Sequence, residues 1–356
     1  MCPGDGATHR PRDGDGILRW IHGRCDHASG VGLPLVDVAG LIERVLAGER
    51  RGMARAISLV EDGAPELEAL SAGLYPHTGN AATIGLTGSP GVGKSSLAEQ
   101  LVRTARARDR SVAVLAIDPT SPFTGGALLG DRLRMQTHAT DPHVFIRSMA
   151  TRGHLGGMAL AAPEAIRILD AAGTDVVIVE TVGVGQAEVE VAGATDTTLV
   201  VVSPGWGDAV QVAKAGILEI ADVFVVNKAD REGAGEAARE LQLMVKMGAR
   251  RDHEDWVPPV VSTSTVSGEG IDELWEAIES HRKHLEDTGA LQRNRRARLL
   301  GEVQTLASQR VRERVHGALD RDPDLARDLE ERKVDPYRAA TMLLERITGT
   351  EGAADA

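Results

Sequence analysis

Residues 88–95 read Gly88-Ser89-Pro90-Gly91-Val92-Gly93-Lys94-Ser95, and the fold of the chain can be predicted from this motif and its neighbours. It fits the pattern GxxxxGK[ST], it follows the apolar segment Ile84–Thr87, and it precedes a helical stretch over residues 96–107. A strand, a glycine-rich turn and a helix in this order are the context that a phosphate-binding loop requires. In such a loop backbone N–H groups and the helix N-terminus hold phosphate, Lys94 reaches the β- and γ-phosphates, and the Ser95 hydroxyl ligates Mg²⁺. The residues predicted to bind phosphate are Gly88, Gly91, Gly93, Lys94, Ser95 and Ser96.

Short apolar segments recur on both sides of this loop and alternate with helical stretches. Nearly continuous apolar segments indicate strands that are buried on both faces, as in a parallel sheet covered by helices. The sequence therefore predicts an α/β fold, a P-loop NTPase with a doubly wound, mostly parallel sheet and ligands at the carboxyl ends of its strands. The predicted strands are Thr83–Thr87, Val112–Ile117, Val144–Arg147, Val176–Val179, Thr198–Val202, Val223–Val226 and Val260–Ser262.

The chain outside this α/β region reads as helical. We expect a disordered tail over residues 1–35, a helical segment over 36–78, the P-loop domain over 79–285 and a helical arm over 286–356. In the N-terminal segment, Asp37 is a predicted helix N-cap and a second helix is predicted over residues 49–61. In the arm, we predict a long helix over residues 289–319 and a short one that begins near Pro336. We expect the arm to be too small for a core of its own, which predicts packing on the domain or on another chain.

Composition limits the classes of function. The 356 residues carry 40 Lys and Arg against 52 Asp and Glu, a formal charge of −12, which argues against general binding of nucleic acid or anionic membranes. Two cysteines, Cys2 and Cys25, cannot form a disulfide framework. A reducing cytoplasm is therefore the expected location. The sequence also has no run of about 18 apolar residues and no signal-peptide core, so neither a transmembrane helix nor a signal peptide is expected.

A second motif identifies the base. Asn227-Lys228-Ala229-Asp230 follows a predicted strand. The Asp230 carboxylate can accept hydrogen bonds from the N1–H and the exocyclic amine of guanine, whereas adenine would leave it unpaired. Asn227 and Lys228 would brace the loop and the base plane, and Ser264-Thr265-Val266 could offer a backbone N–H to guanine O6. A solvated loop at a strand end would explain the same residue types, but together with the P-loop the motif favours GTP over ATP.

Carboxylates at strand ends are the candidates for Mg²⁺ binding and hydrolysis. Asp118 and Glu180 each follow a predicted strand and would face the P-loop, and Asp131 lies on an intervening loop. Glu180 could hold Mg²⁺ through water, and Asp118 could do the same or orient the attacking water. With Lys94 these two acids form the predicted catalytic set, although a helix N-cap or turn role would explain each acid as well. Val184 stands where G proteins of the Ras type place a water-orienting Gln, which predicts slow turnover, and Gln186 is a possible substitute.

The sequence does not decide the roles of several other polar residues near the predicted strand ends. Arg147 and Arg152 could neutralise phosphate charge in the transition state, or they could brace loops, as arginines more often do. The histidines at positions 138, 143 and 154 fit no metal-site spacing and are predicted to lie at the surface.

The motifs together resemble the MeaB/ArgK-type G proteins, a family of P-loop GTPases. The resemblance runs from about residue 36 to the end, and Thr265 departs from it where the family usually has Ala. The matching segments are GSPGVGKSS (88–96), AIDPTSPFTGGALLGDRLRM (116–135), FIRSMATRGHLGG (145–157), ETVGVGQAE (180–188), GDAVQVAKAGILEIADVFVVNKAD (207–230) and GEGIDELW (268–275).

This resemblance implies a GTPase chaperone of an adenosylcobalamin-dependent acyl-CoA mutase, such as methylmalonyl-CoA mutase, that gates cofactor loading and protects the mutase. It implies a homodimer through the C-terminal helices, with Mg²⁺ and GTP or GDP as ligands. The positions that match family phosphate and magnesium residues are Lys94, Ser95, Asp118, Asp131 and Glu180. A switch or partner loop is implied at Gln186, Asp208, Gln211 and Lys214.

Two other functions stay open on the sequence. One is a protein kinase of periplasmic amino-acid-binding proteins, but no separate protein-substrate site is evident. The other is a nickel metallochaperone GTPase, which would need Cys or His ligands near the nucleotide, whereas both cysteines lie outside the domain.

Overall fold

A parallel sheet forms the centre of the protein. The computed structural model describes residues 36–119, 138, 140–151, 157–181, 191, 193–205, 220–248, 256–319 and 321–348, so the predicted tail over 1–35 lies outside the described residues. The strands are β1 (Ala82–Thr87), β2 (Val112–Pro119), β3 (Val144–Thr151), β4 (Val176–Thr181), β5 (Thr197–Val202), β6 (Val223–Asn227) and β7 (Val260–Thr263).

The sheet order is β3-β2-β4-β1-β5-β6-β7, and every pair of neighbours is parallel. The predicted α/β fold is therefore confirmed, and so is each predicted strand, although β3 continues four residues beyond its predicted end. The register places Leu86 of β1 beside Glu180 of β4. The P-loop that follows β1 therefore emerges next to the Glu180 carboxylate.

Helices cover both faces of this sheet. Three precede it, α1 (Val38–Leu46), α2 (Arg50–Asp62) and α3 (Leu67–Leu74), and four connect or follow strands, α4 (Lys94–Ala107), α5 (Gly157–Ala171), α6 (Ala234–Gly248) and α7 (Ile271–Asp287). The remaining ones are α8 (Ala290–Leu319), α9 (Pro323–Glu330) and α10 (Pro336–Thr348). No helix in the described ranges combines the length and apolar character needed to cross a membrane.

Alternate residues of the central strands build two hydrophobic layers. Leu199 and Val201 of β5 pack with Leu97 and Leu101 of α4 and with Leu274 of α7. The residues between them face the other side, where Val200 and Val202 pack with Leu241 of α6. Burial of both strand faces explains why these segments are apolar at every position rather than at every second one.

The N-terminal helices pack against the edge of the sheet through an arginine. Arg147 of β3 donates to the Ser58 hydroxyl at 2.9 Å and to the Glu61 carboxylate at 2.5 Å, and both partners belong to α2. The structure thus assigns Arg147 a bracing contact, which was the commoner of its two predicted roles, whereas Arg152 lies outside the described residues. Helices α1 and α2 occur as predicted, but α3 was missed because its eight residues offer only a short apolar pattern.

A buried histidine joins α7 to the starts of β5 and β6. His281 is 2% exposed, its Nδ1 lies 2.9 Å from the Thr197 hydroxyl, and its Nε2 lies 3.3 Å from a carboxylate oxygen of Asp222. Neutral imidazole satisfies both contacts by accepting at Nδ1 and donating at Nε2. Burial, with a smaller contribution from His284, lowers the pKa of His281 to about 4, so the ring is uncharged at neutral pH.

The long helix α8 is fastened to the opposite end of the sheet from the P-loop. Arg295 and Arg298 both pair with Asp196, which directly precedes β5, and Arg298 also donates to the Thr195 carbonyl at 2.7 Å. Burial alone would raise the pKa of Asp196, but the two guanidinium groups hold it below its ordinary value. The arginines at the start of α8 therefore attach the arm to the domain.

The prediction that the C-terminal arm is too small for a core of its own is wrong. Leu325, Ala339 and Leu343 form a small hydrophobic cluster with residues from the end of α8, so the arm does hold a core of its own. Part of this cluster comes from α9, which was not predicted. Asp322 caps α9 by accepting a hydrogen bond from the Leu325 N–H at 3.0 Å, and Pro323 occupies its first position.

Candidate functional site

The P-loop depends on two glycines in conformations that other residues rarely adopt. Gly88 has φ 133°, and a Cβ there would collide with the Val201 carbonyl oxygen of β5. Gly93 has φ 96°, and a Cβ there would collide with the Asn227 amide nitrogen. Only glycine allows the loop to curl this closely over β5 and β6. The curl places the loop directly before the N-terminus of α4, which is suited to bind anions.

Lys94 begins α4 and turns its side chain back into the curl of the loop. The residue is 6% exposed. Its ammonium group donates to the Gly88 carbonyl and, at 3.2 Å, to the Ser89 carbonyl. The cation therefore lies within the loop, where a nucleoside polyphosphate would meet both the ammonium group and the backbone N–H groups.

Ser95 and Glu180 bring two hard oxygen ligands together. The Ser95 hydroxyl donates to Oε1 of Glu180 at 2.5 Å, and Glu180 is 1% exposed at the end of β4. Hydroxyl and carboxylate oxygens suit Mg²⁺, which usually takes few protein ligands and keeps waters and phosphate oxygens. The described residues contain no cluster of three or more His, Cys, Asp or Glu side chains that could hold a metal by themselves. This donor set fits an ion that is shared with a nucleotide.

The structure describes the other predicted magnesium residues, Asp118 and Asp131, only in part or not at all. Asp118 lies in β2, where its backbone pairs with Ala150 of β3, but its side chain is outside what the structure describes. Asp131 lies outside the described residues, as does the predicted switch and partner loop at Gln186, Asp208, Gln211 and Lys214. Their roles remain predictions.

The predicted base motif is fastened to the P-loop by two side chains. Asn227 is fully buried at the end of β6, donates to the Val92 carbonyl at 2.8 Å, and accepts from the Thr263 hydroxyl at 3.3 Å. Lys228 has φ 61°, which is uncommon for a residue with a side chain, and its ammonium group donates to the Gly91 carbonyl at 2.6 Å. The phosphate loop and the predicted guanine loop therefore form one connected unit.

Asp230 is exposed in the loop after β6, and a hydrogen bond orients its carboxylate. Ser264 donates its hydroxyl to Oδ1 of Asp230 at 2.6 Å. This hydrogen bond is the main reason that the pKa of Asp230 lies below its ordinary value, so the group is ionised at neutral pH. An ionised, oriented carboxylate is what recognition of two N–H donors on a purine requires. Thr265 and Val266 follow in a turn, and Val266 is 89% exposed.

Sequence reasoning missed two residues of this site, Thr263 and Gln100. Thr263 contacts the buried Asn227 amide. Gln100 of α4 donates from Nε2 to the Thr265 carbonyl at 2.9 Å. The pair is separated by 165 residues, and nothing in the local sequence marks Gln100 apart from its position in the helix after the P-loop.

Taken together, the parallel sheet, the glycine-dependent loop and the buried lysine define a P-loop nucleotide-binding protein, and the attached Asn-Lys-x-Asp motif is typical of GTPases. The sequence model of the family "Methylmalonyl Co-A mutase-associated GTPase MeaB" matches residues 53–320. The chain therefore belongs to the MeaB family of P-loop GTPases.

Individual relatives agree with this family. A protein of Pyrococcus horikoshii that is named as a GTPase is 50% identical over 310 residues, which cover 87% of this chain and 98% of the relative. A Caenorhabditis elegans protein, "Methylmalonic aciduria type A homolog, mitochondrial", is 32% identical over 339 residues and covers 88% of this chain and 84% of the relative. Among solved structures, one described as an LAO/AO transport system kinase aligns with a TM-score of 0.66 at 29% identity, over 89% of this chain and 99% of that one.

Proposed function

We propose that the protein binds and hydrolyses GTP as a cytoplasmic chaperone of an adenosylcobalamin-dependent acyl-CoA mutase, gating cofactor loading and protecting the mutase. The observation that carries the GTPase part is the set of hydrogen bonds that joins the loops of Lys94, the Ser95–Glu180 pair and Asp230 into one connected unit. The link to a mutase is supported by the family's name and by the name of the Caenorhabditis elegans relative.

In this proposal the two ends of the connected unit, the P-loop and the base loop, bind different parts of GTP. The loop N–H groups and the Lys94 ammonium hold the β- and γ-phosphates, and bonding to phosphate replaces the contacts that the ammonium makes with loop carbonyls. At the other end, Asp230 accepts from the two N–H donors of guanine. An adenine base offers no such pair, and it is disfavoured because it would cover the carboxylate without replacing the hydrogen bonds that water makes to it.

Hydrolysis in this site would rely on positioning and on charge. Ser95 and Glu180 are the residues that would hold Mg²⁺, which when bound offsets the charge of the β- and γ-phosphates. Glu180 is 1% exposed near the end of β4, so its buried carboxylate would restrain the position of a bound ion. We propose slow intrinsic turnover that a partner stimulates, because Val184 replaces the water-orienting Gln of Ras-type proteins.

Nucleotide-dependent binding to the mutase tests the chaperone function. Calorimetry with the host's adenosylcobalamin-dependent mutase is run with GDP, with a non-hydrolysable GTP analogue and without nucleotide. We expect affinities that differ between the three states. Lys94→Ala, which should bind nucleotide far more weakly, should behave as the nucleotide-free protein at nucleotide concentrations that saturate only the wild type. Equal binding in all states, or none to any such mutase, would remove the chaperone function but leave the GTPase.

We also propose that the arm over residues 286–356 dimerises. Helix α8 exposes an apolar stripe that a lone monomer would leave in water, with Val303 at 62% exposed. The stripe comprises Leu299, Leu300, Val303, Leu306 and Val311. Sedimentation equilibrium of Val303→Asp should show a monomer, whereas Arg312→Asp, at an exposed position of the same helix outside the stripe, should stay dimeric. A wild-type monomer at micromolar concentration would overturn the dimer.

The name of the solved relative makes a protein kinase the second candidate, and its test is direct. Incubation with γ-labelled GTP and a periplasmic binding protein separates the two functions. Release of free phosphate without any labelled protein excludes the kinase, whereas labelled binding protein would establish it.

A further inference from the structure

Gln100 connects the helix that carries the phosphate-binding residues to the loop that would face the base. Its Nε2 donates to the Thr265 carbonyl at 2.9 Å. The same helix begins with Lys94 and Ser95 and is anchored in the core by Leu97 and Leu101, which are fully buried. Because the helix is anchored, the backbone of Gln100 is held in place relative to the phosphate end of the site, and the hydrogen bond to the Thr265 carbonyl holds its side-chain amide.

The loop that Gln100 holds is a short turn with two available donors. Gly268 N–H bonds to the Ser264 carbonyl at 2.9 Å and closes the turn, and Ser267 N–H lies 3.4 Å from the Ser264 hydroxyl. Among the hydrogen bonds of the described residues, the N–H groups of Thr265 and Val266 donate to no acceptor. These two groups flank the carbonyl that Gln100 binds.

Because the peptide bond is planar, the hydrogen bond from Gln100 to the Thr265 carbonyl also restrains the Val266 N–H. In a planar trans peptide the carbonyl of Thr265 and the N–H of Val266 point in opposite directions. A hydrogen bond that fixes the carbonyl therefore fixes the direction of the Val266 N–H as well, and it restrains the preceding Thr265 N–H. Without it, an exposed turn of this kind would sample several peptide orientations.

We propose that Gln100 is a positioning residue for base specificity, which aims the Thr265 and Val266 N–H groups at the O6 atom of guanine. The inference rests on the proposed GTP function, and it adds a residue of α4, the helix after the P-loop, that determines base specificity. Asp230 selects the N1–H and amine edge of the base, whereas Gln100 acts, through the turn, on the O6 edge. Gln100 itself does not touch the nucleotide.

Three nucleotides and two variants test this role. GDP and inosine diphosphate both carry O6, whereas 6-thio-GDP keeps N1–H and the amine but replaces O6 with sulfur, a weaker acceptor. Gln100→Met keeps the length of the side chain and removes its donor. The control is Arg103→Ala on the same helix, because Arg103 pairs with Glu99 and does not reach the turn. Calorimetry gives the affinities, and thermal unfolding verifies that each variant is folded.

We expect Gln100→Met to weaken GDP and inosine diphosphate by the same factor, roughly 3- to 10-fold, the cost of one misaligned hydrogen bond. It should weaken 6-thio-GDP by less than about twofold, and Arg103→Ala should change none of the three affinities. Equal losses for all three nucleotides would show a general structural role and overturn the inference, as would no loss for GDP. If the wild-type protein shows no preference for guanine nucleotides, the proposed function fails first and the inference with it.

Discussion

Asp230→Asn is the substitution that most directly examines how the base is read. Ser264 donates a hydroxyl to Oδ1 of Asp230, so in the variant the amide oxygen keeps this partner and the amide nitrogen turns toward the base. There it would face the N–H donors of guanine with donors of its own. Each hydrogen bond to a charged group contributes a factor of roughly 10 to 150 in affinity. One bond is lost and the other loses its charge, so GDP should bind on the order of 10²–10³-fold more weakly.

The same geometry predicts a gain for a different base. Xanthine has a carbonyl where guanine has its amine, and that oxygen can accept from the Asn amide nitrogen. Calorimetry should therefore show Asp230→Asn binding xanthosine diphosphate more tightly than GDP, with an affinity within about tenfold of wild type for GDP, because the phosphate contacts are unchanged. A variant that keeps its GDP affinity within about threefold, or that fails to prefer xanthosine diphosphate, would refute the assignment of Asp230 to the base.

The remaining predictions concern the phosphate end and the core. Lys94→Ala should weaken GTP by roughly 100-fold or more in the same assay, because the polyphosphate loses its buried cation, and a loss under about threefold would contradict this role. His281 should make unfolding pH-dependent. The unfolded chain takes up the proton near pH 6.5 but the folded protein only near pH 4, so its contribution is complete above pH 6.5 and is lost as the pH falls toward 4. Urea unfolding should show wild type losing about 2 kcal/mol more than His281→Gln between about pH 7.5 and 5. Identical pH slopes would disprove it, with the exposed His77→Gln as the control.

The fold could be predicted because its strands are buried on both faces. A segment such as Val223–Val226 has no polar position, and that pattern followed by a turn residue has few alternatives to a central parallel strand. Helices α3 and α9 were missed for the opposite reason. Each spans eight residues, and their stability comes from tertiary contacts, such as those of Leu325, rather than from a local pattern.

The site was predictable to the extent that its chemistry is carried by local motifs. The P-loop and the Asn-Lys-x-Asp motif each contain their functional groups within about eight residues or fewer, so spacing alone identifies them. The contacts that assemble these motifs could not be predicted, because they join distant parts of the chain. Asn227 was expected to brace the loop and the base plane, and only the structure shows that the carbonyl it binds, that of Val92, belongs to the P-loop. Gln100 has no motif at all.

These long-range contacts argue that base and phosphate recognition are not independent in this protein. Asn227 and Lys228 each bind a carbonyl of the P-loop, and Gln100 binds a carbonyl of the base turn, so the two loops restrain each other in both directions. Phosphate that orders the P-loop therefore also orders the base loop. A nucleotide that occupies both ends meets a site whose restraints are already formed, whereas guanosine alone must order the base turn without help from the phosphate end. Coupling of this kind gives an affinity for GDP that exceeds what the separate contributions of guanosine and pyrophosphate would supply.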